Sequence, residues 1–536
     1  MRIAVVGATG NAGTAVLREL ARQDSVDSIL GIARRLPEQA LEPYNHAEWR
    51  SIDVQFEDSR GELITALTDY DAVIHLAWLI QPNKERELLR RVNVDGTRHV
   101  LEAAAAAGVK HIVVASSVGA YSGVTDNQLR DESWPTVGIA SSHYSVDKAA
   151  QERVMDEFQV KHPDVTVARL RPALKFQGSA GSEIQRYFLG EWVPVQLLRA
   201  GRPPIIPFPK EARAQAVHTD DVAHAYVLAA LTGAEGAFNI CADDILTPQI
   251  IGGVLTANPK YGRVLPIPTK ALRPLVKAAH RSGLLAADEG WLDMAVHSPL
   301  MDTTRAKQEL GWEPSMTAAQ ALEEVIEGMA AGEGRRSAPM RPREQRSVAP
   351  LTLPSKGHRL PDDIDAMALR QYMADHLAGA TAGRSRMARL AQAFVNTPMY
   401  GEIAMVADEV RLEHKYLQKL MNRQGFPRPG ISAPALWVGE RVARVKSYFP
   451  KELKNVPSVL VLETELMLSA VTGKLHGWKT LLNNADALGV PASVFEQLIE
   501  DTERQYARLQ KAHKYARQRA FKKSYETGGD HPLDRG

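Results

Sequence analysis

The chain has 536 residues, 44% of them hydrophobic, 24% charged and 6% aromatic, with a formal net charge of +2. This length exceeds one ordinary core, and the composition excludes a disordered chain. The near-neutral charge argues against nucleic acid or an anionic membrane as the main partner, which leaves a small molecule.

A single cysteine, Cys241, excludes an intramolecular disulfide and a multi-cysteine metal cluster, which fits a reducing compartment. The opening MRIAVVGATG runs from Met1 directly into a strand pattern, with no apolar stretch followed by a cleavage site. No run reaches the roughly 18 apolar residues of a membrane span. The expected setting is cytoplasmic.

In chain order, short β-branched runs alternate with helical segments up to about Ala330: RIAVVGA, SILGIA, DAVIHLA, HIVVASS and VTVARLR. That alternation predicts an α/β fold, a doubly wound parallel sheet of the Rossmann kind. After the first strand come Gly7, Thr9, Gly10, Asn11, Ala12 and Gly13, and then the helix TAVLRELARQ. Glycines at these points allow a tight turn, close approach of backbone to a pyrophosphate and close packing of helix on strand, while the helix N-terminus offers free N–H groups. Strand, turn and helix in this order mark a dinucleotide site.

At the end of the second strand an NAD-specific site keeps an acid for the ribose hydroxyls. Here Arg34 and Arg35 stand in that region. A guanidinium cannot accept those hydrogen bonds but can pair with a 2′-phosphate, so NADP is the preferred cofactor and NAD the alternative. Asp53, ending a third strand, is placed to accept from the adenine amino group or to cap a turn.

From 331 to 361 the chain is rich in Pro, Gly, Ser and Arg and predicts a flexible linker. Residues 362–525 carry only helical patterns, and a tail follows at 526–536. In GEIAMVADEVRLEHKYLQKLM, Ile403, Val406, Val410, Leu417 and Leu420 share a face, which predicts an all-α bundle with its carboxylates turned outward. A di-metal bundle site would need Glu-x-x-His pairs. None occurs, Glu413 and His414 being adjacent, so no metal is expected.

The chain over about residues 1–330 resembles the extended short-chain dehydrogenase/reductase family, also called the NAD-dependent epimerase/dehydratase family. The resemblance rests on GATGNAG at Gly7–Gly13, HLAW at His75–Trp78, NVDGT at Asn93–Thr97, ASSVGAYS at Ala115–Ser122, YSVDK at Tyr144–Lys148, RLRP at Arg169–Pro172, VHTDDVAHAY at Val217–Tyr226 and ELGWEPSMT at Glu309–Thr317. It implies catalytic roles for Ser117, Tyr144 and Lys148: Tyr144 as acid/base, Lys148 as its activator and a ribose ligand, Ser117 as hydrogen-bond partner of the substrate oxygen. The chemistry agrees, because a phenol with pKa near 10 is a poor base at neutral pH and an ammonium one turn away would lower it. Further cofactor contacts are implied at Leu76, Ala77, Asn93 and Arg171, and a small substrate-binding part over 173–210 and 237–300.

Two departures bear on substrate. Leu174 stands where nucleotide-sugar members carry Asn, and Ala214 where sugar epimerases carry Arg, with Arg213 one step away. The apolar stretch Phe176–Pro209 predicts a hydrophobic pocket. The leading reading is an NAD(P)-dependent oxidoreductase acting on an alcohol or carbonyl of a partly apolar small molecule. A nucleotide-sugar epimerase/dehydratase is the alternative, and a cofactor-sensing scaffold acting through the bundle a third. The bundle is the expected surface for a homo-oligomer or protein partner.

Overall fold

The computed structural model describes residues 1–80, 86–189, 206–256, 264–281, 285, 287–342, 351–355, 358–394, 397, 399–426 and 457–520. The chain forms two compact units, Met1–Arg343 and Glu344–Gly536.

In the first unit seven strands build one parallel sheet: β1 (Arg2–Val6), β2 (Ser28–Ile32), β3 (Glu48–Arg50), β4 (Ala72–His75), β5 (His111–Ala115), β6 (Thr166–Pro172) and β7 (Gly236–Ile240), in the order β7-β6-β5-β4-β1-β2-β3. Their residues are buried on both faces, as a sheet covered by helices on each side requires. Ile3 and Val5 join one core with Ile74, Val113 and Trp312, whereas Ala4 and Val6 join another with Val73, Val114 and Phe158. The order reverses direction at β1 and β4, so a crevice opens beyond their carboxyl ends, where ligands bind in such sheets.

Helix α1 (Asn11–Leu20) leaves that crevice after β1, and α2 (His143–Lys161) carries Tyr144 and Lys148 in its first two turns. Ser142 caps α2 through its side chain, which accepts from the Ser145 N–H. Helix α3 (Thr219–Thr232) packs on α1, and α4 (Glu289–His297) closes on α2. Helix α5 (Ala318–Ala331) begins with a reciprocal Thr317–Gln320 capping box.

The segment after α5 departs from expectation. Residues 332–342 are not a free linker. Ser337, Ala338 and Met340 are buried, and the first unit extends to Arg343. Composition misled here because Pro, Gly and Arg also build a tight surface strap when its backbone finds partners.

The second unit is helical among its described residues: α6 (Ala366–Ala393), α7 (Tyr400–Arg423), α8 (Pro457–Leu482) and α9 (Ala492–Arg519). Met373 and Leu377 share one core with Leu417 and Leu420, whereas Met387 and Leu390 share another with Ile403 and Val406, so α6 and α7 run antiparallel. Glu413 and His414, expected on a solvated face, are instead buried, at 5% and 6% exposure. Lys474 donates to Glu413, Gln505 donates to it at 2.7 Å, and His414 Nε2 pairs with Thr381 Oγ1 at 2.9 Å. These partners make burial tolerable. No helix among the described residues is long and apolar enough to cross a membrane.

Candidate active site

The glycine-rich turn has the shape a phosphate needs. Gly7 has φ +89°, and a Cβ there would lie 2.6 Å from the Ala77 nitrogen. At Gly13 a Cβ would lie 2.4 Å from the Gly7 carbonyl oxygen, so α1 can approach β1 only without a side chain. A Cβ on Gly10 would meet only the Gly7 oxygen, at 3.7 Å, and Gly10 caps α1 with no side chain over its N–H groups. A crowded pair of glycines therefore flanks an open one beside an uncapped helix N-terminus, which is a fit for a dinucleotide pyrophosphate. Asn11 is held by Gln177, whose Nε2 donates to the Asn11 carbonyl at 3.2 Å and to its Oδ1 at 2.5 Å. Ala12 is buried in the first turn of α1, the Leu76 N–H bonds the Val6 carbonyl at 2.7 Å, and Ala77 forms the floor under Gly7.

At the adenosine end, Arg34 lies 3.7 Å from Asp53, and one of its terminal nitrogens, Nη1, is buried without a hydrogen-bond partner. Asp53 accepts from the Gln55 side chain at 2.7 Å and backbone at 3.2 Å, so it caps a turn. Arg35 is pushed down to about 9, by burial first and then by the neighbouring charge of Arg34. A guanidinium does not deprotonate in a protein, so the shift marks chiefly the cost of burying that charge beside Arg34.

At the catalytic end, the Ser117 hydroxyl accepts from the Gly119 N–H at 3.0 Å and is near enough to the Tyr144 phenol to bear on its proton affinity. The Tyr144 ring lies against Gly119, where a Cβ would stand 2.8 Å from the ring. It packs edge-on to Trp78 at 5.8 Å and obliquely on Trp291 at 4.9 Å, and Phe188 meets Trp291 at 4.9 Å. Burial pushes the phenol up to about 12, with Ser117 drawing it the other way.

The expected lowering of that phenol by Lys148 is not seen. Lys148 donates to the Ala115 carbonyl at 2.7 Å and to Gln151 Oε1 at 2.9 Å, and lies 3.5 Å from the centre of the Trp78 ring. Burial holds the Lys148 ammonium well below its ordinary value, with Lys175 adding repulsion. Gln151 passes the contact on to Thr97 at 3.1 Å, and Thr97 to His75 at 3.0 Å; burial keeps His75 neutral, at about 3.

Arg171 is a correction. Its guanidinium forks onto Glu152 at 2.8 and 3.0 Å and donates to Tyr121 at 3.0 Å and the Glu132 carbonyl at 2.9 Å. It supports the sheet end and does not face a cofactor. Asn93 exchanges hydrogen bonds with the Leu79 backbone at 2.7 and 2.9 Å and so fixes the loop that carries Trp78. Of the stretch expected to form the substrate pocket, 190–205 lies outside the described residues. Trp291 and Gln151 carried no signal in the sequence. A cavity of about 340 Å³ in the helical unit lies among residues including His376, Glu413, Lys474 and Trp478, apart from this chemistry.

The first unit is similar to known proteins. Residues 3–241 match the NAD dependent epimerase/dehydratase family. An uncharacterized protein of Mycobacterium tuberculosis is 25% identical over 338 residues, 61% of this chain and 83% of its own. An L-arabinose 1-dehydrogenase (NAD(P)(+)) of Haloferax volcanii is 34% identical over 118 residues, 22% of this chain and 41% of its own. Among solved structures, a UDP-glucose 4-epimerase of Thermotoga maritima with UDP-glucose is 20% identical, covering 62% of this chain and 99% of that one at a TM-score of 0.47. A dTDP-glucose 4,6-dehydratase of Streptomyces venezuelae with NAD is also 20% identical, covering 61% and 96% at a TM-score of 0.47. The epimerase/dehydratase match lies nearer the alternative reading from sequence than the leading one. Among the described residues no group of His, Cys, Asp and Glu could hold a metal.

Proposed function

We propose that the epimerase/dehydratase unit transfers hydride between a hydroxyl-bearing carbon of its substrate and a nicotinamide dinucleotide, returning it within one turnover. The observation that carries this is the placement of the Tyr144 ring against Gly119, two residues beyond Ser117, between Trp78 and Trp291. With the dinucleotide's pyrophosphate held at the glycine-rich turn, its nicotinamide would supply the hydride acceptor. Ser117 holds the substrate oxygen, and Tyr144 takes its proton as the C–H bond breaks and gives it back when the carbonyl is reduced. Lys148, held by the Ala115 carbonyl and Gln151, serves as the ribose ligand of the groove.

The indoles suit the apolar C–H face of a sugar ring, which favours a nucleotide sugar, while Leu174 withholds the polar contact that such substrates meet in similar proteins. A partly apolar alcohol, oxidised with net release of reduced cofactor, is the second reading. Arg34 and Arg35 favour NADP over NAD, by about tenfold or more if one charge-assisted contact to the 2′-phosphate is made. An intact Ser–Tyr–Lys set speaks against a pure sensor. Reaction with substrate deuterated at the carbinol carbon tests the proposal: deuterium retained in the product without a net change in nicotinamide absorbance is expected. Stoichiometric accumulation of reduced cofactor would establish the dehydrogenase reading instead.

A further inference from the structure

Each unit has a place where packing is decided by something other than its apolar core, and the two differ. Residues 333–342 of the first unit fill their space: the Ser337 hydroxyl donates to the Thr9 carbonyl at 2.8 Å, Arg186 donates to the carbonyls of Arg341 at 3.0 Å and Pro339 at 2.6 Å, and the fully buried Met340 sulfur accepts from Thr14 at 3.3 Å. The second unit leaves a space open. Its cavity of about 340 Å³ is lined by α6, α7 and α8. On α6, His376, Gly379, Ala380 and Gly383 recur at the spacing of one helix face, and on α8 Ala470, Gly473, Lys474 and Gly477 repeat that spacing. Glycine inside a helix is destabilising, and close packing of a neighbour is the usual offset. Gly477 has one, since a Cβ there would stand 2.8 Å from the His376 ring. At Gly379, Gly383 and Gly473 a Cβ would meet nothing within 4 Å. Protein interiors are close-packed, so a space that three glycines hold open, of the size that takes a small organic molecule, points to an occupant.

The polar groups of its wall define the chemistry of that occupant. Glu413, Lys474 and Gln505 complete one another, and Asp375, at the exposed edge, accepts from Gln371 at 2.9 Å. Trp478, 4% exposed, keeps a buried indole N–H without a hydrogen-bond partner. His414 is held neutral by burial, with Arg384 adding repulsion. Thr381 donates its one hydroxyl hydrogen to the Leu377 carbonyl at 2.8 Å, so the 2.9 Å contact between Thr381 and His414 is donated by the imidazole Nε2–H. His414 Nδ1 is then a lone pair, buried with no donor. The wall thus offers one donor, one acceptor, no uncompensated buried charge, and apolar surface from Tyr372, Leu417 and Leu481.

We infer that this cavity binds an uncharged, largely apolar small molecule that accepts a hydrogen bond from the Trp478 N–H and donates one to His414 Nδ1, as an alcohol or phenol does. The inference stands apart from the chemistry proposed for the first unit. With the full-length protein, 2-naphthol, naphthalene and 2-naphthoate serve as probes, their free concentrations read by equilibrium dialysis at neutral pH, and only binding removed by Gly473→Leu is assigned to the cavity. There 2-naphthol should bind about tenfold or more tightly than naphthalene, which makes neither hydrogen bond, and than 2-naphthoate, whose charge would be buried unpaired. Gly379→Leu and Gly473→Leu should each abolish this binding with melting level or raised, because leucine favours a helix over glycine. Trp478→Phe keeps an aromatic ring and removes the donor, so 2-naphthol should weaken about five- to tenfold and naphthalene by less than about twofold.

Three results would overturn the assignment: no saturable binding of 2-naphthol, 2-naphthol binding that survives both leucine substitutions, or 2-naphthoate bound in the cavity as tightly as 2-naphthol. If a leucine variant melts lower than the wild type, Trp478→Phe decides. Selective weakening of 2-naphthol in that variant supports the site, and equal weakening of 2-naphthol and naphthalene, or of neither, counts against it.

Discussion

Both units bury charged and polar side chains, but they complete them differently. In the helical unit Glu413, Lys474 and Gln505 satisfy one another, although Nδ1 of the neighbouring His414 and the Trp478 indole N–H are buried without hydrogen-bond partners. Around the groove of the first unit, the indole donors of Trp78 and Trp291 are buried without hydrogen-bond partners on either side of a phenol pushed far from its ordinary value. A closed polar network specifies packing; an open one, arranged along a crevice beside a glycine-rich turn, specifies a ligand. The contrast explains why burial or a missing partner alone is poor evidence of function, and why missing partners on both sides of a perturbed phenol beside a glycine-rich turn are better evidence.

The sharpest way to break the comparison is Tyr144→Phe. Turnover should fall by about 10² to 10⁴ while cofactor affinity measured by calorimetry stays within about threefold, because only the proton-transfer group is lost. Retained turnover would place the chemistry elsewhere.

For the helical unit the corresponding change is Lys474→Met. It leaves Glu413 buried without its cation and should cost about 3–5 kcal/mol in denaturant unfolding of that unit. Adding Glu413→Leu should recover most of it, since a self-contained pair is replaceable by apolar packing. Failure of the second change to rescue would mean that the pair answers to something outside itself.

The third test concerns Glu152, 1% exposed, which accepts from Ser116 at 2.5 Å, from Arg169 at 3.2 Å and from Arg171. Burial alone would raise its pKa, but Arg171 outweighs burial and holds the carboxyl below the ordinary range. A lowered folded-state pKa gives stability that is present above the unfolded value, near 4.3, and is lost as the pH falls through the folded one. Between those two values the wild type should lose up to about 1.4 kcal/mol per pH unit more than Glu152→Gln. Parallel acid unfolding of both would exclude Glu152 as the cause.

Much of this was legible in the sequence, and for physical reasons. Strand periodicity fixes a parallel core, the glycines at 7, 10 and 13 answer steric demands, and Tyr144 and Lys148 share a helix turn. Trp291 had no such signal, since an aromatic on a distant helix reads as core until the fold brings it to Tyr144. Glu413 and His414 misled because charge reads as solvated unless its partners on other helices are known. Arg171 misled by position: it ends a strand near the groove, yet Glu152 and Tyr121 take its donors. The strap was the largest surprise, because its ties run from side chains to backbone carbonyls, which leave no pattern in a sequence.

The Ser337–Thr9 hydrogen bond also bears on how the protein is made. It joins residues 328 apart in the chain, across the whole first unit. Contacts of such separation form late, after the loop between them has been closed by nearer pairings. The turn at Gly7–Gly13 therefore leaves the ribosome some 328 residues ahead of Ser337, the residue that covers it. Until Met340 has emerged, the Thr14 hydroxyl stands without its sulfur. Between those two moments a nascent chain carries the glycine-rich turn without the segment that covers it.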